Sequence, residues 1–197
     1  MTTIKNFDRN DLIEAIDPSI FSLILFPTEQ CNFRCVYCYE DFELPKMKPW
    51  IVAAIKDLIK TRAEQIDVLN LSWFGGEPLM AKSVIYEISE YAMSIAQEKN
   101  IAISGSMTTN AYTLDIETLS RLVASNQSRF QVSIDGDAET HNKTRVKANG
   151  GPTFDRIWHN LVEASKTDLN FQFLLRLHVT DENISSIERV ADKIQKN

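Results

Sequence analysis

Apolar positions along this chain alternate between two patterns. Short runs dense in Phe, Leu, Ile and Val, bounded by polar or glycine-containing turns, have the composition of buried strands. Each is followed by a longer segment whose apolar residues recur three and four apart, the spacing of one helix face. The first strand falls at Phe21–Pro27, and a helix follows from about Pro49 to Glu64 with Ile51, Ile55, Leu58 and Ile59 on one face. Pro49 suits the first helical turn. The second strand, Val68–Phe74, precedes a helix carrying Ile85, Ile88, Ala92 and Ile95. The third, about Ile101–Thr109, precedes Ile116, Leu119, Leu122 and Val123. After the fourth, Phe130–Asp135, comes a long polar loop and then a helix with Phe154, Ile157, Trp158 and Leu161. The fifth, Phe171–Thr180, leads to a last helix with Ile184, Ile187, Ala191 and Ile194. Five β-α units in strict alternation predict a parallel sheet covered by helices. Periodicity leaves open whether it curls into a partial (β/α) barrel or lies flat and doubly wound. Residues 1–20 are expected to form an extension with a small helix near Arg9–Ile16, and residues 21–197 the core domain.

The polar positions of the strands are as regular as the apolar ones. Ser104, Ser106 and Thr108 share one face of the third strand, Gln131, Ser133 and Asp135 one face of the fourth, and Gln172, Arg176 and His178 one face of the fifth. The apolar faces are expected to meet the helices, so the polar ones line the other side. A closed barrel normally fills its interior with Val, Ile and Leu. A polar interior predicts a cavity for a polar ligand, with mutually hydrogen-bonded side chains as the plainer alternative.

Composition narrows the setting. Of 197 residues, 44% are apolar and 24% charged, the balance of an ordinary globular domain. No run of eighteen apolar residues is present, so no membrane-spanning helix is expected. The polar N-terminus does not resemble a secretory signal. A net charge of −6 speaks against a nucleic-acid partner, and no Lys/Arg run suggests an anionic membrane.

Candidate chemistry concentrates in the loop after the first strand. Its three cysteines, Cys31, Cys35 and Cys38, are spaced Cys-x₃-Cys-x₂-Cys. Thiolates favour soft metals. Structural zinc takes four ligands, and no fourth cysteine exists. A 4Fe–4S cube usually takes four thiolates; three would leave one iron open to bind a further ligand. This segment, with Tyr37 just before the third cysteine, resembles the signature of the radical SAM superfamily. The resemblance implies that Cys31, Cys35 and Cys38 hold a 4Fe–4S cluster whose open iron chelates S-adenosylmethionine. It implies reductive cleavage to a 5′-deoxyadenosyl radical, a radical SAM partial barrel, and Tyr37 beside the adenine.

Later motifs carry the same resemblance. Gly75-Gly76-Glu77-Pro78 is similar to the family's GGEP segment, which binds the methionine amino group. Thr108-Thr109-Asn110-Ala111 resembles a TNG-like segment, with Ala111 where glycine is usual. Ser133-Ile134-Asp135-Gly136 resembles the SIDG segment of peptide and protein maturases, implying a ribose contact for Ser133 and a site contact for Asp135. Arg145 would pair with the S-adenosylmethionine carboxylate, and Arg176 would bind the cofactor or substrate. Thr153 reads as a helix N-cap; His141 reads as a loop hydrogen-bonding residue and His159 as surface. The cysteine loop, Glu77, Thr109 and Asp135 all fall at C-terminal strand ends, where β/α barrels build their sites.

Within the superfamily the chain looks nearest to SPASM/twitch maturases, such as anaerobic sulfatase maturases. Two departures stand out: no sixth β-α unit, and no later cysteine for auxiliary clusters. The chain therefore reads as shortened after the fifth unit, with an apolar fifth strand open to pairing. The resemblance implies a cytoplasmic enzyme acting on a peptide or protein, with a flavodoxin or ferredoxin-type electron donor. The alternatives are a cluster-binding remnant or half of a split enzyme, and a zinc-binding interaction module.

Overall fold

A computed structural model describes residues 16–195, and the expected helix near residues 9–16 lies almost entirely outside them. Five strands form one sheet in the order β1 (Ile20–Leu25), β3 (Val68–Trp73), β4 (Ala102–Thr109), β5 (Gln127–Ile134) and β7 (Gln172–Leu177), every neighbouring pair parallel. The helices between them are α1 (Pro49–Arg62), α2 (Lys82–Lys99), α3 (Ile116–Ala124) and α5 (Phe154–Ser165), and α6 (Ile184–Gln195) follows β7. Strand order follows chain order without reversal. A doubly wound sheet reverses at a switch point, so the open choice resolves to the partial-barrel arrangement. Right-handed crossovers then put all the helices on one side.

That side is the core. Leu69, Leu71 and Trp73 of β3, Met107 of β4, and Phe130, Val132 and Ile134 of β5 are buried against Ile85 and Ile88 of α2, Leu119 and Leu122 of α3, and Ile157 of α5. Local signals end the helices where the periodicity fades. Asp115 caps α3 by accepting from Thr118 N at 2.9 Å. Asn100 takes a left-handed φ of 56° behind α2.

On the opposite face the polar side chains tie strand to strand. Asn70 Nδ2 donates to Ser22 Oγ at 3.1 Å, Ser104 Oγ to Asn70 Oδ1 at 2.6 Å, and Arg129 Nη2 to Ser104 Oγ at 3.0 Å. Above this row a cavity of about 490 Å³ opens against Ser72, Ser106, Thr108 and Gln131. The polar face thus carries mutual hydrogen bonds at one depth and a cavity at another, the latter also lined by Trp73, Phe74 and Phe130. Leu174, 60% exposed, shares the face assigned to Gln172 and Arg176.

The strand bounds shift. β5 begins three residues before the expected Phe130, and β7 stops at Leu177, after which Asn183 Nδ2 ties the carbonyl of His178 at 2.7 Å. The loop after β5 is in part helical: α4 spans Ala138–Thr144. It lacks an apolar stripe and is started by Asp137, which accepts from Thr140 N at 3.2 Å. A two-stranded antiparallel ribbon was not expected either: β2 (Phe33–Cys35) pairs with β6 (Arg145–Lys147). Thr153 sits at the α5 N-cap position, but its side chain makes no cap bond; Asn142 Oδ1 instead accepts from the N–H groups of Thr153 (2.8 Å) and Phe154 (3.0 Å). Among the described residues, no helix is long and apolar enough to cross a membrane.

Candidate functional site

The cysteine loop leaves the C-terminal end of β1 and is held from two sides. On one, the ribbon sets Cys35 opposite Arg145, while Val36 N donates to Thr144 O (2.9 Å) and Ala148 N to Asn32 O (2.8 Å). On the other, the turn after β3 presses against the loop's root: Gly76 N donates to Thr28 O at 3.2 Å and Glu77 N to Gln30 O at 3.0 Å. Both glycines are needed for that approach. Gly75 has φ +107°, and a Cβ there would stand 2.6 Å from the Thr28 carbonyl oxygen. A Cβ on Gly76 would run into the carbonyl of Glu29.

All three thiols are free and line one cavity of about 150 Å³. Cys31 and Cys35 are half-buried and Cys38 is exposed. Gly75, Gly76, Tyr37, Ser133, Arg145 and Arg176 line the same cavity, as do Thr109 and Asn110. It shares Phe74 and Thr108 with the larger cavity over the sheet, so the two are adjacent. Burial pushes the bare Cys31 thiol up to about 11, and raises that of Cys35 against the pull of Arg145. A metal binding there must displace those protons.

Glu77 and Asp135 do not line this cavity; each stands behind it. Glu77 is 1% exposed. Its Oε1 accepts from Thr109 Oγ1 (2.7 Å) and Leu79 N (3.0 Å), and its Oε2 from Asn110 N (2.6 Å). Burial raises its carboxyl above the ordinary value while these donors pull it down. Asn110 passes the link on, donating through Nδ2 to Asn32 Oδ1 at 2.7 Å. Ala111 next to it adopts φ 57°, the left-handed backbone that glycine takes without strain.

Asp135, also 1% exposed, accepts from Tyr37 OH at 2.7 and 2.9 Å and from Thr144 Oγ1 at 2.6 Å. The ring of Tyr37 stacks on His178 at 5.0 Å between centroids. Arg145 is buried rather than solvated, with Nη1 donating to Tyr37 OH at 2.9 Å and Cζ 5.8 Å from the Phe33 ring centre. Burial opposes its charge, but Cys35, Tyr37 and Asp135 outweigh burial and raise its basicity. His141 is buried, and its Nδ1 accepts from Asp135 N at 3.3 Å. Burial, then Arg145, brings it down to about 4, so the ring is neutral. His159 is exposed. Reading the sequence missed Asn110, Thr144 and His178 as partners. Asn110 lay inside a motif already singled out and His178 on the polar face of the fifth strand, but their particular partners left no mark in the sequence.

The donor set suits an iron–sulfur cube. Three thiols open onto one cavity beside an arginine, with no competing carboxylate on its wall except Glu40. Among the described residues, no three His, Cys, Asp or Glu side chains gather around a single-ion position. A cube is bound at separate irons, so its thiolates stand further apart than ligands of one ion.

The chain belongs to the radical SAM superfamily, whose sequence profile matches residues 25–194. The cofactors of that family are a 4Fe–4S cluster and S-adenosylmethionine. The chain is similar to the cysteine-type anaerobic sulfatase-maturating enzyme of Clostridium novyi (strain NT), 27% identical over 186 residues, covering 90% of this chain and 47% of that protein. It is similar also to the GTP 3',8-cyclase of Haemophilus influenzae (strain 86-028NP), 30% identical over 111 residues, covering 55% of this chain and 32% of that one. It thus spans about half, or less, of the length of these relatives. Among solved structures, native anSMEcpe with bound AdoMet and Kp18Cys peptide superposes with a TM-score of 0.75 at 21% identity, over 88% of this chain and 48% of that one. Streptococcus suis SuiB bound to precursor peptide SuiA gives 0.59 at 17%, over 88% and 36%. At these identities the structural likeness is one of fold.

Proposed function

We propose that this chain is the cofactor-binding core of an enzyme that reductively cleaves S-adenosylmethionine and modifies a peptide or protein. The observation that carries this reading is the convergence of three free thiols, the Gly75-Gly76 turn and the ends of β4 and β5 on one cavity. Cys31, Cys35 and Cys38 hold the cluster. When bound, it supplies one electron to S-adenosylmethionine, and cleavage gives methionine and a 5′-deoxyadenosyl radical. Tyr37, Gly75, Gly76, Ser133 and Arg176 bind and orient that cofactor from the cavity wall. Glu77 acts from behind by fixing Gly76 and Asn110, and Asp135 by fixing Tyr37. The cavity over the sheet, with Ser72, Ser106 and Thr108 among apolar side chains such as Trp73 and Phe130, takes the substrate.

A peptide is favoured over a nucleotide because the sulfatase-maturating relative aligns with 90% of this chain and the cyclase with 55%. A flavodoxin or ferredoxin-type donor in the cytoplasm supplies the electron. Among the described residues β7 is the last strand of the sheet, and its outer edge would accept a further strand.

The test is cofactor cleavage. The chain is reconstituted with iron and sulfide without oxygen, reduced with dithionite, and assayed for 5′-deoxyadenosine, with Cys35→Ala as control. Cysteine-dependent product is expected. A full cluster that yields none would overturn the catalytic reading in favour of a cluster-binding remnant, and bound zinc without sulfide would favour an interaction module.

A further inference from the structure

The geometry points to Arg145 as the counter-charge of the cysteine site, a tuning residue for whatever reduction occurs there rather than a ligand of the cofactor's carboxylate. The inference rests on the reading that the three thiols hold a cluster. Arg145 is 8% exposed, and a buried guanidinium needs negative charge nearby. No carboxylate among the described residues forms an ion pair with it; Asp135 is reached only through the intervening hydroxyl of Tyr37. Its Nε is buried without a hydrogen-bond partner among the described residues. What does face it is Cys35, its direct partner across the β2–β6 ribbon. Residues paired in this way carry their side chains on the same face with Cβ atoms roughly 5 Å apart. Arg145 also lines the cavity that all three thiols share. The thiolates thus add negative charge at closer quarters than Asp135 behind Tyr37, and the ribbon holds the cation against them.

A fixed cation beside an iron–sulfur centre favours its reduced form, because reduction adds negative charge. The position is set by a backbone pairing rather than by a flexible tether. Tyr37, on the wall of the same cavity, steadies the guanidinium by accepting from Nη1 at 2.9 Å.

The experiment is a dithionite titration of the reconstituted 197-residue chain without S-adenosylmethionine, followed by electron paramagnetic resonance. Arg145→Gln should make reduction harder by about tenfold in equilibrium constant, close to 59 mV for one electron, and Arg145→Lys should restore most of it. Asp135→Asn, which removes a neighbouring negative charge, should move the potential the other way. An unchanged potential in Arg145→Gln, with only S-adenosylmethionine affinity lost, would overturn the inference. Should Arg145→Gln fail to load iron, a null shift in Asp135→Asn would overturn it equally. Because the titration needs no cofactor cleavage, an expected shift in a chain that never forms 5′-deoxyadenosine would sink the proposed function and leave this inference standing.

Discussion

Removing the carboxylate of Glu77 separates two roles for the Gly-Gly-Glu-Pro turn. A ligand for an amino group would face the cavity and matter little to the empty protein. The observed side chain is instead fully enclosed and accepts from three protein donors. Glu77→Ala strands three of them: the N–H groups of Leu79 and Asn110 and the hydroxyl of Thr109. A buried unsatisfied donor costs about 1–3 kcal/mol, and neighbours are not additive, so the loss should be about 3–5 kcal/mol. Against a total of roughly 5–15 kcal/mol for a domain, that is a large fraction. Glu77→Gln should do less. Its oxygen can keep the two contacts made by Oε1, while its amino group meets the Asn110 N–H donor to donor, costing about 1–3 kcal/mol. Urea unfolding of the cluster-free chain reads both, with midpoint drops of about 1–2 M and under about 1 M. Refutation is simple: a Glu77→Ala midpoint within error of the parent would mean that these bonds carry no stability and that the carboxylate is kept for a ligand.

Other outcomes follow from single residues. Gly76→Ala must displace backbone on one side or the other, since its Cβ meets the Glu29 carbonyl; a stability loss of about 1–3 kcal/mol with reduced iron uptake is expected, and normal uptake with a parental melting curve would contradict it. His141 titrates near 4 in the folded chain against 6.5 as a free side chain. The unfolded chain therefore takes the proton first, and this contribution, whole above 6.5, is lost as pH falls towards 4. Melting points of the parent should fall over that range more steeply than those of His141→Gln, and parallel slopes would refute the assignment. Asp137, brought to about 2 by Arg189, Thr140 and Ser186 against the cost of burial, stabilises above 3.8 and loses that effect as pH drops towards 2. Asp137→Ala should cost about 1 kcal/mol as a lost cap at neutral pH, detectable as lower helicity and earlier urea unfolding; an unchanged midpoint would show that α4 starts without it.

The β-α alternation was legible because burial wrote it twice, once in each strand's apolar face and once in each helix's stripe. Leu69, Leu71 and Trp73 against Asn70 and Ser72 could hardly be read otherwise. The choice between flat and curled was not legible, since strand order leaves no mark on periodicity. Helix α4 escaped because Asp137 and Asn142, rather than an apolar stripe, hold it. The ribbon escaped because three residues a side are too few for a period, and because Cys35 and Arg145 read as chemistry first. The residues of the candidate site could be gathered from motif spacing, but not their division of labour. That Glu77 and Asp135 stand behind the wall depends on Thr109, Asn110 and Thr144 folding over them, contacts between distant segments that no local pattern encodes.

The ribbon has a consequence for the order of events in folding. Tyr37 and Arg145 are 108 positions apart in sequence, so closing this contact carries the entropy of a very long loop. Contacts of such separation form late, after local units have collapsed. A chain emerging from the ribosome exposes its thiols long before the segment that braces them exists. Metal delivery should therefore follow folding rather than seed it, and apoprotein with a completed sheet is the species that a cluster-loading factor would meet.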